Sequence, residues 1–119
     1  GAAAIQGITI RDDLFERYRS SEDFIQKYIF PGGFLPSLGF MKSLIKKNNL
    51  NLLKVNSYPD DYAKTLATWR ENFLKVWSNI APLGFDETFK RMWEFYLSYC
   101  EAGFKSKNID LIQFSMSNK

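Results

Sequence analysis

The stretch YIFPGGFLPS, residues 28–37, restricts the fold more than any other part of the chain. Its prolines and double glycine prevent a helix from running through it, and the same prolines bar it from the interior of a sheet. Ile29, Phe30, Phe34 and Leu35 are nevertheless apolar, and a segment of this kind left in water is an aggregation hazard. Something must cover it.

The neighbouring segments suggest what that cover is. Residues 2–10, AAAIQGITI, put Gln6, Ile8 and Ile10 on one face and Ile5 and Thr9 on the other, so apolar groups lie on both sides, as in a buried strand. Residues 11–19 read as a polar turn or short helix. Ser20 and Asp23 then form a capping pair for a short helix that Pro31 ends. Ser37 caps a helix over 38–47, in which Leu38, Met41, Leu44 and Ile45 fall at helical spacing. A turn at Asn48 and Asn49 leads into a strand over 50–55.

Tyr58, Pro59 and Asp60 start a long helix that is expected to run to about residue 80, with Tyr62, Leu66, Trp69, Phe73, Val76 and Ile80 along one face. Asp86 caps a second long helix, striped by Phe89, Met92, Trp93, Tyr96, Cys100 and Phe104. The alternation of Ile112, Phe114 and Met116 gives a last strand. The fold class is α/β, with three strands and about four helices in the order β, α, α, β, α, α, β. Three strands are thin support for so much apolar surface, so the chain reads as a piece of a larger sheet protein.

Composition removes several chemistries. A content of 45% hydrophobic and 24% charged residues is that of a globular protein. No apolar run reaches membrane-spanning length, and residues 1–10 lack the charged-then-apolar pattern of a secretory leader. With Cys100 as the single cysteine and no histidine, an internal disulfide, a Cys/His zinc site and every histidine-based triad are excluded; a cytoplasmic address is the expectation. The net charge of +3 is scattered over the helices, which gives no support to nucleic-acid binding and is compatible with anionic phospholipid. No phosphate-cradling glycine pattern is present.

On spacing alone, Cys100 reads as a packing residue rather than a nucleophile, and the aromatic stripes read as core before channel. Tyr62 lies in the first turn of its helix, where free N–H groups and the dipole favour an anion. Ordinary packing explains the same position, and both readings stay open.

Taken together and in order, AIQGITI, DFIQKYIFPGGFLPS, DYAKTLATWRENF, LGFDETFKRMWEFYLSYCEAGF and IDLIQFSM resemble the cyclopropane fatty acid synthases. These cyclopropane-fatty-acyl-phospholipid synthases are S-adenosylmethionine-dependent methyltransferases. The resemblance covers nearly the whole chain. It implies the carboxy-terminal part of a seven-stranded methyltransferase fold, with residues 2–10 as the fifth strand, 50–55 as the sixth and 109–116 as the antiparallel seventh. The glycine-rich loop that grips S-adenosylmethionine would lie upstream, so no cofactor-binding residue is expected here.

The reaction the resemblance implies is methyl transfer to the double bond of an unsaturated phospholipid acyl chain, at the inner membrane face, followed by proton removal by bound bicarbonate. Tyr62 falls at the family's bicarbonate-binding tyrosine, and Ile8 at the position whose backbone contacts that ion. Gln6 replaces a histidine found in many members. An amide donates a hydrogen bond but cannot carry a proton, so a methylene or methyl branch stands beside the cyclopropane ring as product. Residues 28–47 and 60–105 correspond to the acyl-pocket lid and helices, with Phe30, Phe34, Leu35, Trp69, Tyr96 and Cys100 as substrate-binding wall; Cys100 matches a second, inessential cysteine. The rival reading is a stand-alone lipid- or protein-binding module that hides its apolar surface in a homodimer, without catalysis.

Overall fold

In the computed structural model, which describes residues 1–119, the last strand is the hub of the sheet. Strand β3 (Ile109–Asn118) lies between β1 (Ala2–Ile10) and β2 (Leu50–Ser57) and pairs antiparallel with both, giving the order β1-β3-β2. Its alternation sends side chains to two helical layers. Ile112 and Phe114 are buried against Ile45 of α2 (Leu38–Lys47). On the opposite face Ile109, Leu111 and Ile8 pack against the pair formed by α3 (Pro59–Lys75) and α5 (Glu87–Lys105). That pair is closed by Ala63, Leu66, Leu97, Cys100 and Phe104.

Caps fix where these helices begin. The Ser37 hydroxyl accepts from the Phe40 N–H at 3.1 Å, and the Asp86 carboxylate accepts from the Phe89 N–H at 2.8 Å. Pro59 occupies the first turn of α3, where no N–H is needed.

Four local features differ from the sequence reading. The expected helix to residue 80 breaks at Val76, whose φ of −101° and ψ of 11° leave the helical region; a short α4 (Trp77–Ile80) and a 3-10 turn (Ala81–Leu83) follow, ended by Gly84 at φ 102°. Asp23 is a capping residue, but its partner is Gln26: Asp23 Oδ1 accepts from the Gln26 N–H at 2.8 Å, and Gln26 Oε1 accepts from the Asp23 N–H at 3.0 Å. Ser20 donates back to the Glu16 carbonyl at the end of α1 (Asp12–Arg19). Residues Ile25–Ile29 then wind as a π-helical turn, and β2 runs to Ser57 with an irregularity in register between Leu52 and Lys54.

The chain is elongated, 54 × 29 × 25 Å, with a radius of gyration of 17.0 Å. A compact chain of this length would have about 13.5 Å. Only 11 of 119 residues are buried, and large apolar side chains such as Leu53, Trp69, Leu83 and Phe95 stand exposed. The outer edge of β1 carries no paired strand except at its end, where Ile10 bridges to Ser37. Most of this apolar surface has no cover within the 119 residues.

Candidate functional site

The segment 28–37 is shaped by short hydrogen bonds rather than by burial. Gly32 sits at φ 77°, which lets the Gly33 N–H close a turn on the Phe30 carbonyl at 2.8 Å. A Cβ at Gly33 would come within 2.9 Å of that carbonyl oxygen, so the second glycine is required by close approach. Gln26 Nε2 donates to the Gly33 carbonyl at 3.1 Å, and the Leu35 N–H donates to the Tyr18 hydroxyl at 2.9 Å. The Ile10 N–H donates to the Pro36 carbonyl at 3.0 Å. Three separate elements, α1, the π-helical turn and β1, therefore hold the loop across the end of β1.

Beneath it lies a chamber of about 260 Å³. Its walls bring together Ile8 from β1, Phe30, Phe34 and Leu35 from the loop, Tyr62 and Leu66 from α3, and Tyr96, Cys100 and Phe104 from α5. Tyr18, Asp23, Ile25, Gln26, Gly33 and Ile109 complete it. The loop is only half covered: Phe34 packs on Phe15 and Tyr18 with ring centroids 5.7 and 5.9 Å apart, and Phe30 meets Tyr96 at 6.4 Å. Phe30 and Phe34 remain 56% and 51% exposed, forming a greasy lip.

Tyr62 is held by its ring, edge-on to Phe104 at 4.9 Å and to Trp69 at 5.9 Å. Its hydroxyl has no hydrogen-bond partner in the chain, and burial, then the Cys100 thiol, raises its pKa, so it is a donor with nothing to donate to. Burial pushes Tyr96 up to about 12 and Cys100 up to about 11. The phenols and the thiol of the chamber are therefore held protonated, and Asp23 is its one carboxylate. No group of His, Cys, Asp and Glu is placed to hold a metal ion.

The Cys100 shift predicts an alkaline signature. Its folded pKa is raised, so the native state retains a proton that the unfolded chain releases, and stability should fall as pH rises from near 9 to about 11. The thiolate is also the reactive form, so alkylation of Cys100 should follow a midpoint near 11 rather than 9. A pH series of iodoacetamide rates with melting curves checks both; a midpoint at the ordinary value contradicts the burial.

Two expected site residues stand outside the chamber. Trp69 is half exposed and touches it only through the Tyr62 ring. Gln6 faces the α3–α5 side of the sheet like Ile8, but lies in a separate depression with Lys54, Asn56 and Gln113. Gln113 Nε2 donates to Gln6 Oε1 at 2.9 Å, which leaves the Gln6 amide nitrogen free to donate. Because the Ile10 N–H reaches Pro36 and antiparallel ladders alternate, the backbone groups of Ile8 and Gln6 point to the open edge of β1.

Sequence reasoning missed Tyr18, Asp23, Ile25 and Gln26 as chamber residues. The D-x-x-Q spacing of Asp23 and Gln26 was a readable signal, whereas nothing local links Tyr18 to Leu35.

Comparison with known proteins covers nearly the whole chain. The sequence profile of the family described as mycolic acid cyclopropane synthetase matches residues 1–114. The tuberculostearic acid methyltransferase UfaA1 of Mycobacterium tuberculosis is 43% identical over 117 residues, 98% of this chain and 27% of the relative. The cyclopropane-fatty-acyl-phospholipid synthase of Escherichia coli K12 is 35% identical over 98 residues, 81% of this chain and 25% of the relative. Among solved structures, the mycolic acid cyclopropane synthase CmaA1 complexed with SAH and CTAB superposes with a TM-score of 0.84 at 26% identity, over 98% of this chain and 44% of that one. The three strands and their helices thus match the carboxy-terminal part of a methyltransferase fold. The chain spans about a quarter of the length of these curated relatives.

Proposed function

The chain belongs to the mycolic acid cyclopropane synthetase family, and from that membership we propose that it is the acyl-chain side of an S-adenosylmethionine-dependent lipid methyltransferase. The acceptor is the double bond of an unsaturated phospholipid acyl chain, met at the inner face of a membrane. S-adenosylmethionine supplies the methyl group from a site upstream of these residues. The observation that carries the reading is the chamber itself: Ile8, Tyr62, Phe30, Phe34, Leu35, Tyr96 and Cys100 come from four elements and line one apolar space. At about 260 Å³ it is slightly below the roughly 300–1,000 Å³ of ligand pockets, which suits a stretch of hydrocarbon chain rather than a whole lipid.

Adding a methyl group to an alkene leaves positive charge on carbon, and an oily wall with few fixed donors does not quench it. Bicarbonate would be held by the unpartnered Tyr62 hydroxyl, the outward-facing backbone of Ile8 and the Gln6 amide nitrogen, all donors or neutral groups. None of these three groups can take up the proton, so the base is the bicarbonate itself. Gln6 in place of a proton-carrying side chain favours a branched product over the ring, and the relative at 43% identity is named a methyltransferase rather than a cyclopropane synthase.

The test is product analysis. Full-length protein supplied with methyl-labelled S-adenosylmethionine and vesicles of dioleoyl phosphatidylglycerol should give labelled acyl chains by mass spectrometry, with NMR separating ring from branch. The isolated 119-residue chain should give none. Absence of label with the full-length protein would overturn the reading.

A further inference from the structure

A second cavity adjoins the chamber, and at about 580 Å³ it is more than twice as large. The two share a partition made of Tyr18, Asp23, Ile25, Leu35 and Ile109. Their linings differ in kind. The inner chamber is almost wholly apolar, whereas the outer cavity combines apolar walls at Leu14, Ile25 and Leu35 with a rim of Arg17, Ser21, Ser106 and Asn108. An aliphatic chain has no use for such a rim; a lipid's polar end does.

We propose that the outer cavity is the subsite for the polar end of the lipid, with Arg17 pairing to its phosphate and Asp23 turning that phosphate back at the partition, on the side of the chamber away from the open β1 edge where bicarbonate would be held. This rests on the acyl-chain reading of that chamber. Arg17 is the one cationic side chain in the lining, and it is uncommitted: Arg11 is bonded to Asp13 and Asn108, and Arg19 to Glu16, whereas Arg17 has no ion pair. Its backbone is tied down by the Ser21 hydroxyl, which donates to the Arg17 carbonyl at 2.8 Å.

Asp23 is fixed at the partition through its bond to the Gln26 N–H, and its charge also helps to keep Tyr18, Tyr99 and Cys100 protonated beside it, behind burial as the main cause. Cation outside and anion at the partition orient a lipid head out and tail in. A planar guanidinium suits a phosphate because it can donate two parallel hydrogen bonds.

The experiment measures binding to the full-length protein of short-chain phosphatidylglycerol, inorganic phosphate and the uncharged ester methyl oleate. Arg17→Gln is expected to weaken phosphatidylglycerol about five-fold, the effect of a partly exposed ion pair, and to leave methyl oleate unchanged. Arg17→Lys should recover part of the loss. Asp23→Asn, which keeps a capping side chain, should admit oleate, a carboxylate, about five-fold better without affecting its methyl ester.

Equal phosphatidylglycerol binding by Arg17→Gln and wild type would overturn the subsite. So would inorganic phosphate binding as tightly as the lipid, since the cavity would then be a free-phosphate site. Methyl oleate failing to bind while phosphatidylglycerol still depends on Arg17 would sink the acyl reading of the inner chamber and leave the outer subsite standing.

Discussion

Tyr62→Phe is expected to cut the turnover of the full-length enzyme by about 10²–10³, the usual cost of removing one preorganised donor from a site where charge develops. Little else should change. The ring that remains still packs on Phe104 and Trp69, and the lost hydroxyl has no partner in the chain, so no buried group is left unsatisfied and the melting temperature should hold. The KM for lipid should also hold, because the hydrocarbon wall is intact. If the tyrosine holds bicarbonate, the variant should need more of that ion to reach its residual rate. Turnover equal to wild type would return Tyr62 to the ordinary packing role that its helical position also allows.

That ambiguity at Tyr62 marks the limit of what local pattern could reveal. Period-two alternation at Ile112, Phe114 and Met116 found the last strand, apolar groups on both faces of residues 2–10 marked the first, and period-3.6 spacing found both long helices, because each burial face repeats within a few residues. The caps at Ser37 and Asp86 were legible for the same reason. The break at Val76 was not: the apolar stripe continues through Trp77 and Ile80, and the sequence there holds no glycine or proline until Pro82.

The core between α3 and α5 was also seen only in part. Ala63 and Leu97 are 1% and 3% exposed, yet neither was placed on a stripe, since large apolar side chains such as Phe89 and Met92 define a wider face than the one α3 covers. The chamber depended still more on distance in sequence. Tyr18 reaches Leu35, Ile8 meets α5, and Gln6 is drawn to Gln113, contacts that no local window contains.

Phe104 offers the complementary prediction, in which stability and activity fail together. It is 1% exposed, lies at the centre of the α3–α5 cluster, and supports the Tyr62 ring from 4.9 Å. Phe104→Ala should cost about 3–5 kcal/mol through lost burial and the cavity left behind. Against a typical total of about 5–15 kcal/mol, that is a large fraction of the stability. Denaturant midpoints on the full-length protein measure it, with Phe85→Ala as control: Phe85 is 43% exposed near the start of α5 and should cost well under half as much.

Phe104→Leu, which keeps most of the volume, should fold and yet turn over slowly, because an aliphatic side chain gives the Tyr62 ring no edge to stand on. If Phe104→Leu were fully active, the orientation of Tyr62 would not depend on this contact, and the hydroxyl would have to be positioned by residues outside the 119 described here.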